Sequence, residues 1–237
     1  MMQKFILSIA VLVTAFSIEV SSGYAANQNV RTGPKVHLPV VGTVIINTYY
    51  VTDSSGALVP RSKADPEVND DTLRVIRSNF RALGRSRCVA FYTIHSKDTT
   101  LISYAPHGDL YVRDLAKDSA WHLLPFGLPP GTIMRKKLPN DSGMVMLRNY
   151  NMPHTRTYQV TGRDTVSVQG KTYHCIELLI TDIREWQGQN WVQGTRYWLS
   201  PELGYFIRSN MGWDGPYFLN QQTKVWQFPS GLKARNG

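Results

Sequence analysis

From Arg87 to its end the chain is a succession of short β-branched and aromatic stretches cut by turn residues, and this punctuation constrains the fold more than any other feature. The stretches CVAFYTI, TTLISYA, DLYVRDL, TIMRKKL, MVMLRN, TRTYQVTG, TVSVQ, YHCIELLITDI, WVQGTRYWLS, LGYFIRSN and the segment reaching Trp226 read as about eleven strands. Between them lie His107-Gly108-Asp109, Pro129-Pro130-Gly131, Asn140-Asp141-Ser142-Gly143, Gln169-Gly170, Gln187-Gly188-Gln189-Asn190 and Ser200-Pro201-Glu202. Connections this short join antiparallel neighbours, because parallel strands need a crossover of about a dozen residues. An open sheet of so many strands curls or splits.

Upstream, Thr43 to Val51 (TVIINTYYV) reads as a strand covered on both faces, followed by a Ser-, Asp-, Gly- and Pro-rich loop over 52–70. Leu73, Ile76, Phe80 and Leu83 then fall at i, i+3, i+7 and i+10, with Asn69, Asp70 or Asp71 as cap and Gly84 past the end. This spacing predicts an amphipathic helix over 71–83. Arg74, Arg77 and Arg81 share the spacing on an adjacent face, as a solvated stripe or a contact with anionic lipid or an acidic partner. In Lys171 to Arg184, Ile176, Leu178 and Ile180 form one apolar face and Tyr173, Cys175, Leu179 and Ile183 the other, so that strand should be covered on both sides. The expected fold is mainly β with one or two helices (α+β), a large curved antiparallel sheet forming an incomplete barrel closed by the helix.

The first 25 residues have the form of an export signal: Lys4, the apolar run Phe5 to Ile18, then Gly23 and Ala25 as small residues ahead of a cleavage point. Glu19 ends the run short of the roughly 18 to 20 residues that span hydrocarbon, so no transmembrane segment is expected in the mature chain. No cysteine follows the signal to accept an acyl chain. The domain expectation is a signal peptide over 1–25, a polar lead-in over 26–42, one antiparallel half-barrel domain over 43–228 and a polar tail over 229–237, in a periplasmic product.

Export bears on the two cysteines. In an oxidising compartment Cys88 and Cys175 are most simply one disulfide, worth about 4 kcal/mol in the chain-entropy view. The alternative is a reactive thiol, but His174 adjoins Cys175 on a strand and points to the opposite face.

Catalytic motifs are absent. Gly84-Arg85-Ser86-Arg87-Cys88 lacks the second glycine of a nucleophile elbow. His37, His95, His107, His122, His154 and His174 never pair at metal-ligand spacings, and no CxxC or HExxH occurs. The chain is therefore expected to be no enzyme and to hold no cofactor or metal. Trp186, Trp191, Tyr197, Trp198, Tyr205, Phe206, Trp213, Tyr217, Phe218 and Trp226 crowd the last quarter, interleaved with Arg184, Arg196, Arg208 and Lys224. Bases could stack there, but export argues against a nucleic-acid partner. On WVQGTRYWL, Trp191, Tyr197 and Leu199 share one face, and Val192, Arg196 and Trp198 the other.

Thr157 to Gly215 resembles the C-terminal half of periplasmic proteins with the lipoprotein-carrier fold, including outer-membrane lipoprotein-sorting proteins. The resemblance rests on the Gln169-Gly170 hairpin, the apolar run Cys175 to Ile180, Tyr197-Trp198-Leu199-Ser200-Pro201-Glu202-Leu203-Gly204 and Phe206-Ile207-Arg208. With the 71–83 segment and Gly108-Asp109-Leu110-Tyr111-Val112 it covers 71–215. It implies an incomplete antiparallel barrel closed by helices, with acyl chains shielded in the concavity. The leading functional expectation is thus an exported, non-enzymatic envelope protein that binds a lipid or lipoprotein acyl chain, lined by Ile176, Leu178, Ile180, Trp191, Tyr197, Trp198 and Leu199. The alternative is a basic module, net charge +9, docking anionic envelope components or an acidic partner through Arg74, Arg77 and Arg81.

Overall fold

The computed structural model describes residue 33 and residues 35–59, 70–117, 120–145, 148–168, 170–213 and 217–226. The expected signal peptide and polar tail lie outside the described residues.

Among the described residues twelve strands follow in order: β1 (Val44–Thr52), β2 (Asp70–Ala82), β3 (Arg85–Thr93), β4 (Thr99–Tyr104), β5 (Leu110–Asp114), β6 (His122–Leu124), β7 (Ile133–Val145), β8 (Arg148–Val168), β9 (Lys171–Trp186), β10 (Gln189–Ser200), β11 (Tyr205–Trp213) and β12 (Tyr217–Trp226). They form one sheet in the order β6-β5-β4-β3-β2-β1-β12-β11-β10-β9-β8-β7. Every described pairing is antiparallel, as the short turns require. Each strand pairs with its neighbours in sequence, except that β1 pairs β12 from Val44↔Trp226 to Thr52↔Phe218, and β6 and β7 form the two free edges. The sheet is not closed. Among the described residues no helix is long and apolar enough to cross a membrane.

Side chains show how far the sheet bends. β3 and β11 stand four strand spacings apart, about 19 Å on a flat sheet at roughly 4.8 Å each. Yet the rings of Phe91 (β3) and Tyr205 (β11) lie 5.1 Å apart between centroids. The Tyr104 hydroxyl on β4 donates to the Gly204 carbonyl at 2.7 Å, and Phe126 after β6 meets Phe206 at 6.0 Å. One face is therefore concave and filled from both ends of the sheet by Ile45, Val75, Val89, Phe91, Ile102, Tyr104, Leu110, Phe126, Leu178, Leu199 and Phe206. The lead-in takes part: Val36 is buried in this core, and the His37 amide donates to the Pro201 carbonyl at 2.8 Å. That approach requires glycine at 204, where φ is +64° and a Cβ would sit 2.0 Å from the His37 oxygen. A second cluster on the opposite face joins Val166, Val168, Tyr173, Cys175, Trp198 and Ile207.

Two expectations are overturned. The 71–83 segment is not a helix but strand β2, so no helix closes the sheet; among the described residues there is none. Leu73 and Val75 are buried while Arg74 and Ile76 are exposed, the two-residue alternation of a strand. Register against β3 then shifts between Val75/Arg77, Arg77/Phe80 and Phe80/Ala82, with Asn79 at φ 53°. Each irregularity resets the alternation, so no single two-residue period runs through the strand, and the spacing of Leu73, Ile76, Phe80 and Leu83 imitates a helical one although these side chains share no buried face. Ile76 and Leu83, assigned to that helix's apolar face, are 48% and 67% exposed.

The disulfide is likewise absent: Cys88 and Cys175 are both free and buried. Cys88 adjoins Val89, and Cys175 adjoins Ile176, both of which face the concave core. The thiols thus point outward from strands with five others between them, and two groups on the convex face of a curled sheet diverge. Burial, Asp164 and Glu202 push the Cys175 thiol up to about 12. Thiol titration of denatured, unreduced protein should therefore count two free groups, with both slow to react in the native state; a count of zero contradicts this register.

Candidate functional site

The hairpin of β2 and β3 concentrates positive charge. Arg74, Arg77, Arg81, Arg85 and Arg87 fall within fourteen residues that contain no acid. Leu83 (φ 46°) and Gly84 (φ 78°) form its turn, both left-handed, as a tight two-residue hairpin loop requires. Arg74, Arg77 and Arg81 are exposed. The Arg77 guanidinium stands 4.4 Å from the Phe80 ring centroid, and that of Arg85 stands 3.8 Å from Tyr111 and 5.2 Å from Trp121. Arg87 turns inward and donates to the Val36 carbonyl at 3.1 Å. Among the described residues none of the five forms an ion pair. Exposed aliphatics border them: Ile76 and Leu83 on the hairpin, and Val40 and Val41 beside it, where the Gly42 amide donates to the Val75 carbonyl.

The sequence-based cavity lining separates. Ile176, Leu178, Ile180 and Leu199 are buried in the concave core, and Tyr197 packs against it with its ring 5.3 Å from that of Phe206. Trp198 lies on the opposite face, where its indole donates to Asp164 at 2.9 Å and the Arg208 guanidinium stacks over it at 5.0 Å. Trp191 is 57% exposed near the β9–β10 turn. The lining residues that do face inward meet the protein's own rings.

Further along the concave face the lining turns polar. Asp182 on β9 is gripped by two groups from β8: Arg156 donates through Nε and Nη2 to both carboxylate oxygens, at 2.8 and 3.1 Å, and His154 Nε2 lies 2.6 Å from Oδ1. Cross-strand register explains the meeting, since Arg156 stands opposite Asp182 and His154 lies two residues earlier on the same face. Thr223 donates to buried Asn47 at 2.8 Å, and burial raises the nearby Asp71 carboxyl, whose Oδ1 has no hydrogen-bond partner. This polar group was missed in sequence; its trace was His154 and Arg156 in phase with Tyr158 and Val160. Among the described residues no three His, Cys, Asp or Glu side chains are arranged to hold a metal ion.

No protein-family model matches the chain, and no curated protein matches it in sequence. Two crystal structures are among those similar in backbone. One, from Bacteroides fragilis, is described as an exported protein with a YmcC-like fold; it gives a TM-score of 0.47 at 10% identity over 81% of this chain and 99% of that one. The other is the hypothetical lipoprotein YmcC from Escherichia coli, with a TM-score of 0.36 at 7% identity over 78% of this chain and 84% of that one. Neither is described as a lipoprotein-sorting protein.

Burial works against ionisation of Asp182, but the hydrogen bonds and charges of Arg156 and His154 outweigh it and hold the carboxyl below its ordinary value. A lowered folded-state pKa stabilises above the unfolded value, about 3.9, and that contribution is lost as pH falls through the folded value. Asp182→Asn should therefore be less stable than wild type at pH 7 in urea unfolding, with the gap narrowing as pH falls below about 4. A gap that is constant with pH contradicts the ion-pair account.

Proposed function

We propose that this is an exported, non-catalytic protein that docks on an anionic lipid surface of the cell envelope through its β2–β3 hairpin. The observation that carries the reading is a set of exposed arginines without acidic partners among the described residues, interleaved with exposed aliphatic side chains. Guanidinium groups are drawn to phosphate-bearing headgroups, and short aliphatics reach the boundary beneath them. The export-signal form of residues 1–25 supports an envelope location.

The alternative of an acyl chain held in the concave face is less favoured. It needs a hollow where Phe91, Tyr205, Phe206 and Phe126 instead fill the space around Leu178 and Leu199. Admitting a chain would require those rings to leave the core, and each would lose about 1.5 to 3 kcal/mol of burial.

Each arginine near an anionic leaflet contributes about 1 kcal/mol. The triple substitution Arg74→Ala, Arg77→Ala, Arg81→Ala, at exposed positions, should thus weaken sedimentation with phosphatidylglycerol-containing vesicles about 100-fold, and raised salt should release the wild type. Equal binding by the triple variant, a preference for neutral vesicles, or a preference for soluble polyglutamate over vesicles would each overturn the lipid reading.

A further inference from the structure

Strand β7 is an edge with an uncommon charge pattern. Among the described residues it pairs with β8 alone, from Ile133↔Gln159 to Val145↔Arg148, and its other side carries no partner. The ladder is regular from Ile133 to Leu138 and then shifts register before Asp141, across Pro139. Six residues, spanning about 20 Å, thus offer unpaired backbone groups. Within them Arg135, Lys136 and Lys137 are consecutive and exposed.

Their neighbours on β8 do not answer this charge. Arg135, Lys136 and Lys137 stand opposite Thr157, Arg156 and Thr155, and Arg156 is already committed to Asp182. Lys136 therefore faces a like charge, a cross-strand arrangement that is unfavourable on its own. Basic side chains on an edge also repel the same edge of a second copy: antiparallel β7–β7 pairing would set one triad against another, which blocks self-association.

We propose that the β7 edge accepts an extended acidic segment of a partner protein as a thirteenth strand. Main-chain hydrogen bonds to residues 133–138 supply the attachment, and alternating Asp or Glu opposite Arg135 and Lys137, which share one face of the strand, supplies the selection. The site is separate from the β2–β3 hairpin and does not depend on the lipid reading.

The test uses the mature protein and a fluorescein-labelled decapeptide alternating Glu with Val or Thr. Fluorescence anisotropy should show salt-sensitive binding, and hydrogen exchange at saturation should slow backbone amides within 133–138. Arg135→Glu with Lys137→Glu, both at exposed positions, should weaken binding at least about tenfold, while the Arg74, Arg77 and Arg81 alanine variant should bind the peptide as wild type does. A peptide of the same charge with proline at two adjacent central positions removes an N–H that must point at β7 and should bind much more weakly. The proposal fails if the proline peptide binds equally, if no amide of 133–138 slows, or if the hairpin variant loses the peptide as strongly as the β7 variant.

Discussion

Pairing of the first strand with the last determines the shape of this protein. β1 and β12 align over the length of β1, so the two six-strand meanders, β1–β6 and β7–β12, become one ladder. Among the described residues β6 and β7 are the one pair of consecutive strands not hydrogen-bonded to each other, and the short link over 125–132 joins those two edges in sequence. A right-handed twist accumulated over twelve strands already bends a sheet. Here the bend brings Phe91 onto Tyr205 and Tyr104 onto the Gly204 carbonyl. The concave face is thereby buried without a helix to cover it, and apolar burial of this kind is the dominant stabilising contribution.

That solution distributes function to the periphery. The apolar end of the concavity is occupied by its own aromatics, and its polar end by Asp182 with Arg156 and His154, and by Asn47 with Thr223. What remains for recognition is the hairpin of β2 and β3 and the free edge of β7. Both are basic, in keeping with the net charge of +9, but they differ in kind. The hairpin offers side chains over a surface bordered by aliphatics; the edge offers backbone.

Much of the strand order was legible in the sequence, because turn chemistry is local. His107-Gly108, Pro129-Pro130-Gly131 and Gln187-Gly188 all separate strands where they stand. What misled were irregularities inside strands. Gly162 and Asp141 look like turn residues but sit at register shifts within β8 and β7, so stretches read as separate strands are continuous. In β2 the reverse happened: exposed Ile76 and Leu83 stand at helical spacing from buried Leu73 and half-buried Phe80 and gave a false helical period. The cysteine pairing failed for a geometric reason: which face a residue takes is local, but whether two outward faces meet depends on the curl of the whole sheet. The arginine stripe was visible as Arg74, Arg77 and Arg81; Arg85 and Arg87 were not joined to it because a helix ending at Gly84 would have separated them. The Asp182 group required the register of β8 against β9, which no single stretch contains.

The central claim is that β3 and β11, far apart along the sheet, face each other through its concave interior. A double-mutant cycle on Phe91→Leu and Tyr205→Leu, measured by urea unfolding, tests it most directly. Rings in contact predict a coupling of about 0.5 to 1.5 kcal/mol. Effects that simply add, within about 0.3 kcal/mol, would place the two rings apart and contradict the curled sheet.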